Sequence, residues 1–212
     1  LGGAAAVGRQ PPPAGLRDPS RRPGHRLSRQ ARERLIPQSW TADMVDISML
    51  RDAYRAHKSS VFNALRSAHA PARGVHAVLK QLSSLADEAL RALWNAPDFG
   101  NQFALVAVGG FGRGELFPYS DVDVLLLLPD GQAADAIESA KLESFIGQCW
   151  DAGLEIGSRV RNLDECLAEA AKDVTVQTSL LEARLVAGDK KLFATFRQPF
   201  LASIDPCAFF AA

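Results

Sequence analysis

The sequence lacks several features that would assign it to a simple class of protein. Its three cysteines are an odd number without a Cys-x-x-Cys pair, which argues against a disulfide framework or a zinc site and favours a reducing cytosol. Lys plus Arg and Asp plus Glu each number 24, so the net charge is zero and a general DNA binder is not expected. No apolar run reaches the roughly 18 residues of a membrane helix. We therefore expect a cytoplasmic globular protein.

The charge is nevertheless uneven along the 212 residues. Residues 1–36 contain eight arginines and five prolines but only Asp18 and Glu33 as acidic residues. Such a segment buries too little apolar surface to offset its ordering entropy, so we expect residues 1–38 to form a disordered basic tail. A basic arm for nucleic acid or an acidic partner, a dispensable tail, and translated sequence upstream of the true start are the alternatives for its role.

Two amphipathic helices are predicted within residues 40–100. Thr41 or Asp43 caps the first, which runs to about Leu65 at helical apolar spacing. We expect Pro71 and Gly74 to separate it from a second helix, whose apolar stripe extends from Val75 to Leu93.

The apolar spacing then changes to that of short buried strands. Strands are predicted at residues 103–108, 122–128 and 154–161, with a helix at 133–152 before the third. Three helices should follow: one opened by the Asn162/Glu165 capping box, one capped by Asp173 and ending at Gly188, and one capped by Asp189. This order predicts a small sheet with helices packed on it, an α/β or α+β domain.

The most informative segment lies between the first two predicted strands. Four glycines, at positions 109, 110, 112 and 114, directly follow a buried strand. Glycine lets backbone N–H groups approach an anion without obstruction by a Cβ atom, and a helical turn beginning at Gly112 would add a favourable dipole for phosphate. The segment therefore predicts a loop that cradles a phosphate group.

An acidic pair follows this loop. Asp121 and Asp123 stand at the start of the second strand, and strand alternation places both carboxylates on one face. Oxygen ligands shared with substrate phosphates suit Mg²⁺. Other glycine-rich motifs do not fit. Glu115 occupies a position where a Rossmann fingerprint needs glycine or alanine, and a kinase loop fails at the same position. The Gly-Lys-Ser/Thr of a P-loop is absent.

These residues resemble a known signature. The run Gly-Gly-Phe-Gly-Arg-Gly-Glu-Leu-Phe-Pro-Tyr-Ser-Asp-Val-Asp at 109–123 is similar to that of the polymerase-β-like nucleotidyltransferase superfamily. Within it, the run resembles the family of bifunctional [protein-PII] uridylyltransferase/uridylyl-removing enzymes, as do residues 150–161 and 173–188. The resemblance implies a small mixed sheet flanked by helices. It also implies N-terminal helices at 40–100, a nucleotidyltransferase core at 101–162 and a C-terminal helical segment at 163–212.

The resemblance also implies roles for individual residues. The superfamily holds two metal ions on an acidic pair and a third carboxylate, so the implied catalytic and metal-binding residues are Asp121, Asp123 and Glu155, with Mg²⁺ as the cofactor. The implied nucleotide-binding residues are Gly109, Gly110, Arg113 and Ser120.

Two of these assignments have alternatives. Arg113 could instead form a surface ion pair with Glu115, and Glu155 could be an ordinary exposed strand residue. Ser158 and Arg159 depart from the pattern of the family, where His and Ser are expected, which puts fine details of the third strand in doubt.

By resemblance, the reaction is transfer of UMP from UTP to a tyrosine of the PII signalling protein, with release of pyrophosphate. Two alternatives stay open: a nucleotidyltransferase with another acceptor, such as glutamine synthetase or a small molecule, and a non-catalytic nucleotide-binding or interaction module. No histidine is followed by aspartate, although the uridylyl-removing part of the family carries a His-Asp pair. We therefore expect the sequence to be the N-terminal portion of a longer enzyme.

Overall fold

The computed structural model describes residues 46–67, 72–95, 99, 102–129, 131 and 135–205, which contain both helices and strands. Within these ranges there are seven helices: α1 (Ile47–Ser67), α2 (Ala72–Trp94), α3 (Gly109–Gly112), α4 (Ala136–Asp151), α5 (Leu163–Ala170), α6 (Val174–Leu181) and α7 (Lys190–Ala202). The same ranges contain four strands: β1 (Ala104–Ala107), β2 (Val122–Leu127), β3 (Ile156–Arg161) and β4 (Arg184–Gly188). The predicted basic tail at 1–38 lies outside the described residues.

The four strands form one mixed sheet in the order β3-β2-β1-β4. β1 is antiparallel to both β2 and β4, whereas β2 and β3 run parallel. The parallel pair needs a crossover, which α4 provides between β2 and β3. The predicted α/β architecture, a small mixed sheet flanked by helices, is confirmed.

Helices cover both faces of this sheet. On one face, side chains of α1, α2 and α4 pack with Leu105 of β1 and with Val124 and Leu126 of β2. On the other face, Cys166, Leu180, Phe196 and Phe200 of α5–α7 pack with alternate residues of the same strands: Ala104, Val106, Leu125 and Leu127. Because both faces are buried, β1 and residues 124–127 of β2 are continuous apolar runs without a polar alternation.

The two N-terminal helices begin differently from the sequence prediction. The carboxylate of Asp46 accepts hydrogen bonds from the N–H groups of Ser48 and Met49 at the start of α1. The predicted caps Thr41 and Asp43 and the predicted break at Pro71 lie outside the described residues. Gly74 was expected to separate the two helices, which is wrong, because it lies inside α2. A glycine in a helix costs about 1 kcal/mol, and the buried apolar stripe of α2 offsets that cost.

The sequence prediction missed the fourth strand. Asp173 does cap α6, but that helix ends at Leu181, and residues 184–188, expected to be helical, form β4. β4 is five residues long and only its central Val186 is buried, so its apolar pattern is too short to distinguish strand from helix. Pairing with β1 decides the outcome. The predicted C-terminal helical segment therefore contributes an edge strand to the sheet, while the domain boundaries stay a prediction.

Side-chain caps define where the remaining long helices begin. The Asn162/Glu165 capping box is present as predicted, and Asp189 accepts the N–H of Lys191 at the start of α7. α4 begins with another capping box, formed by Asp135 and Glu138. Among the described residues, none of the helices is long and apolar enough to cross a membrane.

Candidate active site

The topology of the sheet brings the glycine-rich segment and the acidic pair together. β1 and β2 are antiparallel, so the chain leaves β1 at the edge where β2 begins. The N–H of Val108 donates to the carbonyl oxygen of Asp123 at 3.1 Å, and Gly109 is the next residue. The two segments predicted to share a site are therefore neighbours.

The glycine segment folds into a helical turn directly after β1. We expected a turn to start at Gly112, but α3 spans Gly109–Gly112 and so begins three residues earlier. Gly109 has a φ of +57°, a conformation that a residue with a Cβ atom adopts at a cost. The first N–H groups of any helical turn have no acceptor within it, so those at the start of α3 depend on groups outside the turn.

The four glycines serve different purposes. A Cβ atom on Gly112 would clash with the carbonyl of Glu182, so this glycine allows the turn to pack against the junction between α6 and β4. Gly114 has open space around it and a φ of +76°, and its N–H donates to the carbonyl of Phe111 as the chain reverses. Gly109 is the glycine that borders the acidic pair, because a Cβ atom there would lie 3.9 Å from Oδ2 of Asp123.

The acidic pair borders a glycine of the neighbouring strand. Asp123 is in register with Gly157 of β3. A Cβ atom on Gly157 would lie 2.7 Å from Oδ1 of Asp123 and 4.0 Å from Cβ of Asp121, so both aspartates lie beside this glycine. Asp123 points to the same face of β2 as Leu125 and Leu127, yet it is exposed. The sheet thus presents two carboxylates at an edge open to solvent.

The electrostatics of the pair favour a bound cation. Partial burial and then the negative charge of Asp121 raise the pKa of the Asp123 carboxyl, and the positive charge of Arg159 opposes them. Arg159 therefore offsets only part of the combined effect of burial and of the neighbouring Asp121 charge. A divalent cation beside the pair would supply further positive charge.

The residues present fit a hard metal ion. The donors are carboxylate oxygens, and the missing Cβ of Gly157 leaves the Asp123 carboxylate unobstructed. No group of three His, Cys, Asp or Glu side chains suited to a metal is found in the described ranges. A metal that takes its other ligands from water and substrate phosphates needs only one or two carboxylates.

The predicted third carboxylate lies at the same edge of the sheet. Glu155 precedes β3, is exposed, and its carbonyl accepts the N–H of Val122 at 2.7 Å. Burial, and then the charge of Glu155, raise the pKa of the Tyr54 hydroxyl to about 12. Its role as a metal ligand stays a prediction.

Two further predicted residues have partners within the protein. Arg113 Nε lies 3.3 Å from Oε2 of Glu115, the alternative that the sequence left open, and its Nη1 lies 3.9 Å from Glu182. The hydroxyl of Ser120 donates to the carbonyl of Phe117 at 3.1 Å. Nucleotide contacts by Arg113 and Ser120 stay predictions.

Sequence reasoning missed two neighbours of the site. Gly157 could have been found by aligning the second and third predicted strands in parallel register. Ser179 of α6 could not, because no motif connects it to the glycine segment; its hydroxyl lies 3.4 Å from where a Cβ atom of Gly109 would be. The site is therefore lined from β2, β3, α3 and α6.

Comparison with known proteins identifies the type of domain that contains these residues. The family model described as "Nucleotidyltransferase domain" matches residues 88–179, which include the glycine turn, both aspartates and Gly157. The chain carries a nucleotidyltransferase domain. The resemblance derived from the sequence is confirmed at this level.

Several curated relatives of the nucleotidyltransferase domain share one name. A "Bifunctional uridylyltransferase/uridylyl-removing enzyme" of Cupriavidus pinatubonensis is 47% identical over 178 residues, which are 84% of this chain and 20% of the relative. Proteins of the same name from Ralstonia nicotianae and Burkholderia orbicola are each 49% identical, over 160 and 162 residues, covering 76% of this chain and 18% of the relatives. The chain thus spans about a fifth of the length of these relatives.

Proposed function

We propose that this chain transfers UMP from UTP to a tyrosine hydroxyl of a PII signalling protein and releases pyrophosphate. The observation that carries the proposal is the juxtaposition of Asp121, Asp123 and Gly157 with the turn that starts at Gly109. The names of the relatives support uridylyl as the transferred group, and the resemblance of residues 109–123 to the family supports PII as the acceptor.

The residues act by binding and orienting the two substrates. The N–H groups at the start of α3 donate to oxygens of the triphosphate, with Gly109 and Gly110 allowing close approach of the backbone. Arg113 pairs with a phosphate when it leaves Glu115. The tyrosine oxygen forms a bond to the α-phosphorus as the bond from that phosphorus to the oxygen bridging to the β-phosphate breaks. Pyrophosphate leaves with that oxygen, and the hydroxyl proton passes to solvent water.

The carboxylates of Asp121 and Asp123 would hold Mg²⁺ beside the triphosphate, with Glu155 as a third candidate ligand. The ion supplies charge neutralisation for the phosphate oxygens and activation of the acceptor oxygen. The exposed edge of the sheet leaves room for a macromolecular acceptor.

Incubation of the chain with UTP, Mg²⁺ and purified PII tests the proposal. Pyrophosphate release and the mass of PII are measured, with ATP and CTP as competing donors. We expect UMP on one tyrosine of PII. The Asp123→Asn variant should lose more than about 100-fold in rate, because even indirect partners of a metal ligand affect activity by 10- to 100-fold.

Asp164→Asn is the matched control, since it makes the same chemical change in the exposed first turn of α5. That turn lies beyond the far end of β3, about 13 Å along the strand from Gly157. Equal rates for Asp123→Asn and the wild-type chain would contradict the proposal, as would transfer only from ATP or CTP.

A further inference from the structure

Arg184 connects the glycine turn to the rest of the domain. It is the first residue of β4, and its Nε and Nη2 donate to the carbonyls of Gly112 and Phe111, both at 3.1 Å. Its guanidinium carbon lies 5.3 Å from the centre of the Phe111 ring. The final carbonyls of a helical turn have no partner within the turn, so Arg184 satisfies the C-terminal end of α3.

A carboxylate on another element holds the guanidinium in place. Asp87 of α2 accepts hydrogen bonds from Nη1 and Nη2 of Arg184 at 2.8 and 3.0 Å, a bidentate pair. The Asp87 side chain is only 13% exposed, so little water competes for it. Asp87 and Arg184 thereby join α2, β4 and α3.

Arg91 completes the network without contacting the turn. Its Nη2 lies 3.2 Å from Oδ2 of Asp87, and its Nε donates to the carbonyl of Val186 at 3.0 Å. Arg91 and Arg184 therefore share the Asp87 carboxylate and the β4 strand, but the contacts with Phe111 and Gly112 belong to Arg184.

The opposite end of α3 is the end that faces the acidic pair. The turn is four residues long, so a shift of its carbonyl end moves its N–H end by a similar distance. Gly112 is in close contact with the carbonyl of Glu182, two residues before Arg184, so the turn packs on the segment that carries this arginine. An arginine that fixes one end of so short a turn also fixes the orientation of the other.

We propose that Arg184, held by Asp87, is a positioning residue that sets the glycine turn for binding of the donor triphosphate. The inference rests on the proposed function, since it assigns the donor site to this turn. It predicts that substitution of Arg184 weakens binding of the nucleotide specifically. Binding of the acceptor should be little affected, because Arg184 contacts the end of the turn opposite the acidic pair.

The test compares Arg184→Gln and Arg184→Lys with the wild-type chain. KM for UTP, KM for PII and kcat are measured, together with deuterium uptake of a peptide covering residues 109–115 in the absence of ligand. For Arg184→Gln we expect KM for UTP to rise about tenfold, the size of effect that follows loss of a hydrogen bond made by a charged group. KM for PII should stay within twofold, and uptake in that peptide should be faster. Arg184→Lys should give an intermediate result, because an ammonium keeps the charge but cannot span Asp87 and two carbonyls together.

Arg91→Gln is the matched control, because it removes a guanidinium from the same carboxylate and the same strand but no contact to the turn. It should leave KM for UTP and uptake in residues 109–115 unchanged. If Arg184→Gln does not fold, Asp87→Asn tests the same inference. It should raise KM for UTP in the same way, although the Arg184 guanidinium is still present.

The outcomes separate the inference from the proposed function. A wild-type chain that releases no pyrophosphate overturns the proposed function and, with it, the inference. A working wild-type chain whose Arg184 and Asp87 variants match Arg91→Gln overturns the inference alone. Equal rises in KM for UTP and for PII also overturn it, because a general loss of structure would affect both substrates.

Discussion

At the scale of the residue, the candidate site depends on the absence of a Cβ atom at Gly157. The Asp123 carboxylate lies where a Cβ atom on Gly157 would interfere with it, while Asp121 would be in ordinary van der Waals contact with that atom. The obstructed atom is the end of a flexible carboxylate, which can rotate away. Substitution at this position should therefore alter the site much more than the fold.

Gly157→Ala should lower the Mg²⁺-dependent affinity for UTP by roughly 10- to 100-fold, because changes to the surroundings that orient a metal ligand have effects of that size. The free energy of unfolding should change by less than about 1 kcal/mol, since alanine reduces the conformational entropy of the unfolded chain. Calorimetric titration with UTP and urea unfolding measure the two quantities.

Gly147→Ala is the control for this substitution. Gly147 lies in α4 with no atom near the position of its Cβ, so alanine should raise the free energy of unfolding by about 0.5–1 kcal/mol and leave nucleotide binding unchanged. Unchanged affinity in Gly157→Ala would contradict the arrangement of the aspartates described above.

At the scale of the element, β4 is the part of the fold that tertiary contacts determine. It pairs only with β1 and ends at Gly188, whose φ is +86°. A Cβ atom there would clash with the carbonyl of Phe103, the same carbonyl that accepts the N–H of Asp189. The connection from β4 to α7 therefore requires glycine.

Gly188→Ala should lower the free energy of unfolding by more than about 2 kcal/mol, from the strained backbone together with the clash against main chain. Gly131→Ala is the matched control. Gly131 has a φ of +72°, but no described atom lies near its Cβ position. The free energy of unfolding should therefore fall by only about 1–2 kcal/mol. Urea unfolding followed by circular dichroism gives both values, and equal losses would contradict this account of β4.

The sequence was sufficient to predict the elements that have a continuous apolar run or a recognisable capping motif. The apolar runs of β1 and β2 and the Asn162/Glu165 capping box are local signals, and the structure bears them out. β4 has no such signal, since its five residues bury only Val186. The same distinction applies to the site: Asp121 and Asp123 could be named from their spacing, whereas the approach of Ser179 and the Asp87–Arg184 pair depend on contacts between distant segments.

At the scale of the whole molecule, the sheet divides two separate cores. Cys149 of α4 is buried in the core that contains α1 and α2, and Cys166 of α5 is buried in the core on the opposite face. Burial raises the pKa of the Cys149 thiol to about 12, so this thiol stays protonated and unreactive near neutral pH. The two cysteines thus report on the two faces independently.

A Cys207→Ser chain, which leaves only Cys149 and Cys166, should show no reaction with a thiol reagent at pH 8 while folded. Both thiols should react after unfolding in guanidinium. Rapid labelling of one cysteine in the folded chain would contradict the packing of the corresponding face, and labelling of both would contradict the two-sided architecture. The wild-type chain serves as the comparison for Cys207, which lies outside the described residues.

The central claim is that the glycine turn and the acidic pair form one site for a nucleoside triphosphate with a divalent cation. Its most direct test is calorimetric titration of the chain with UTP in the presence and absence of Mg²⁺, beside an Asp121→Asn/Asp123→Asn variant of unchanged circular dichroism. The account predicts binding that requires Mg²⁺, favours UTP over ATP and CTP, and is lost in the variant. Binding that is equally tight in the variant, or no binding by the folded wild-type chain, would contradict it.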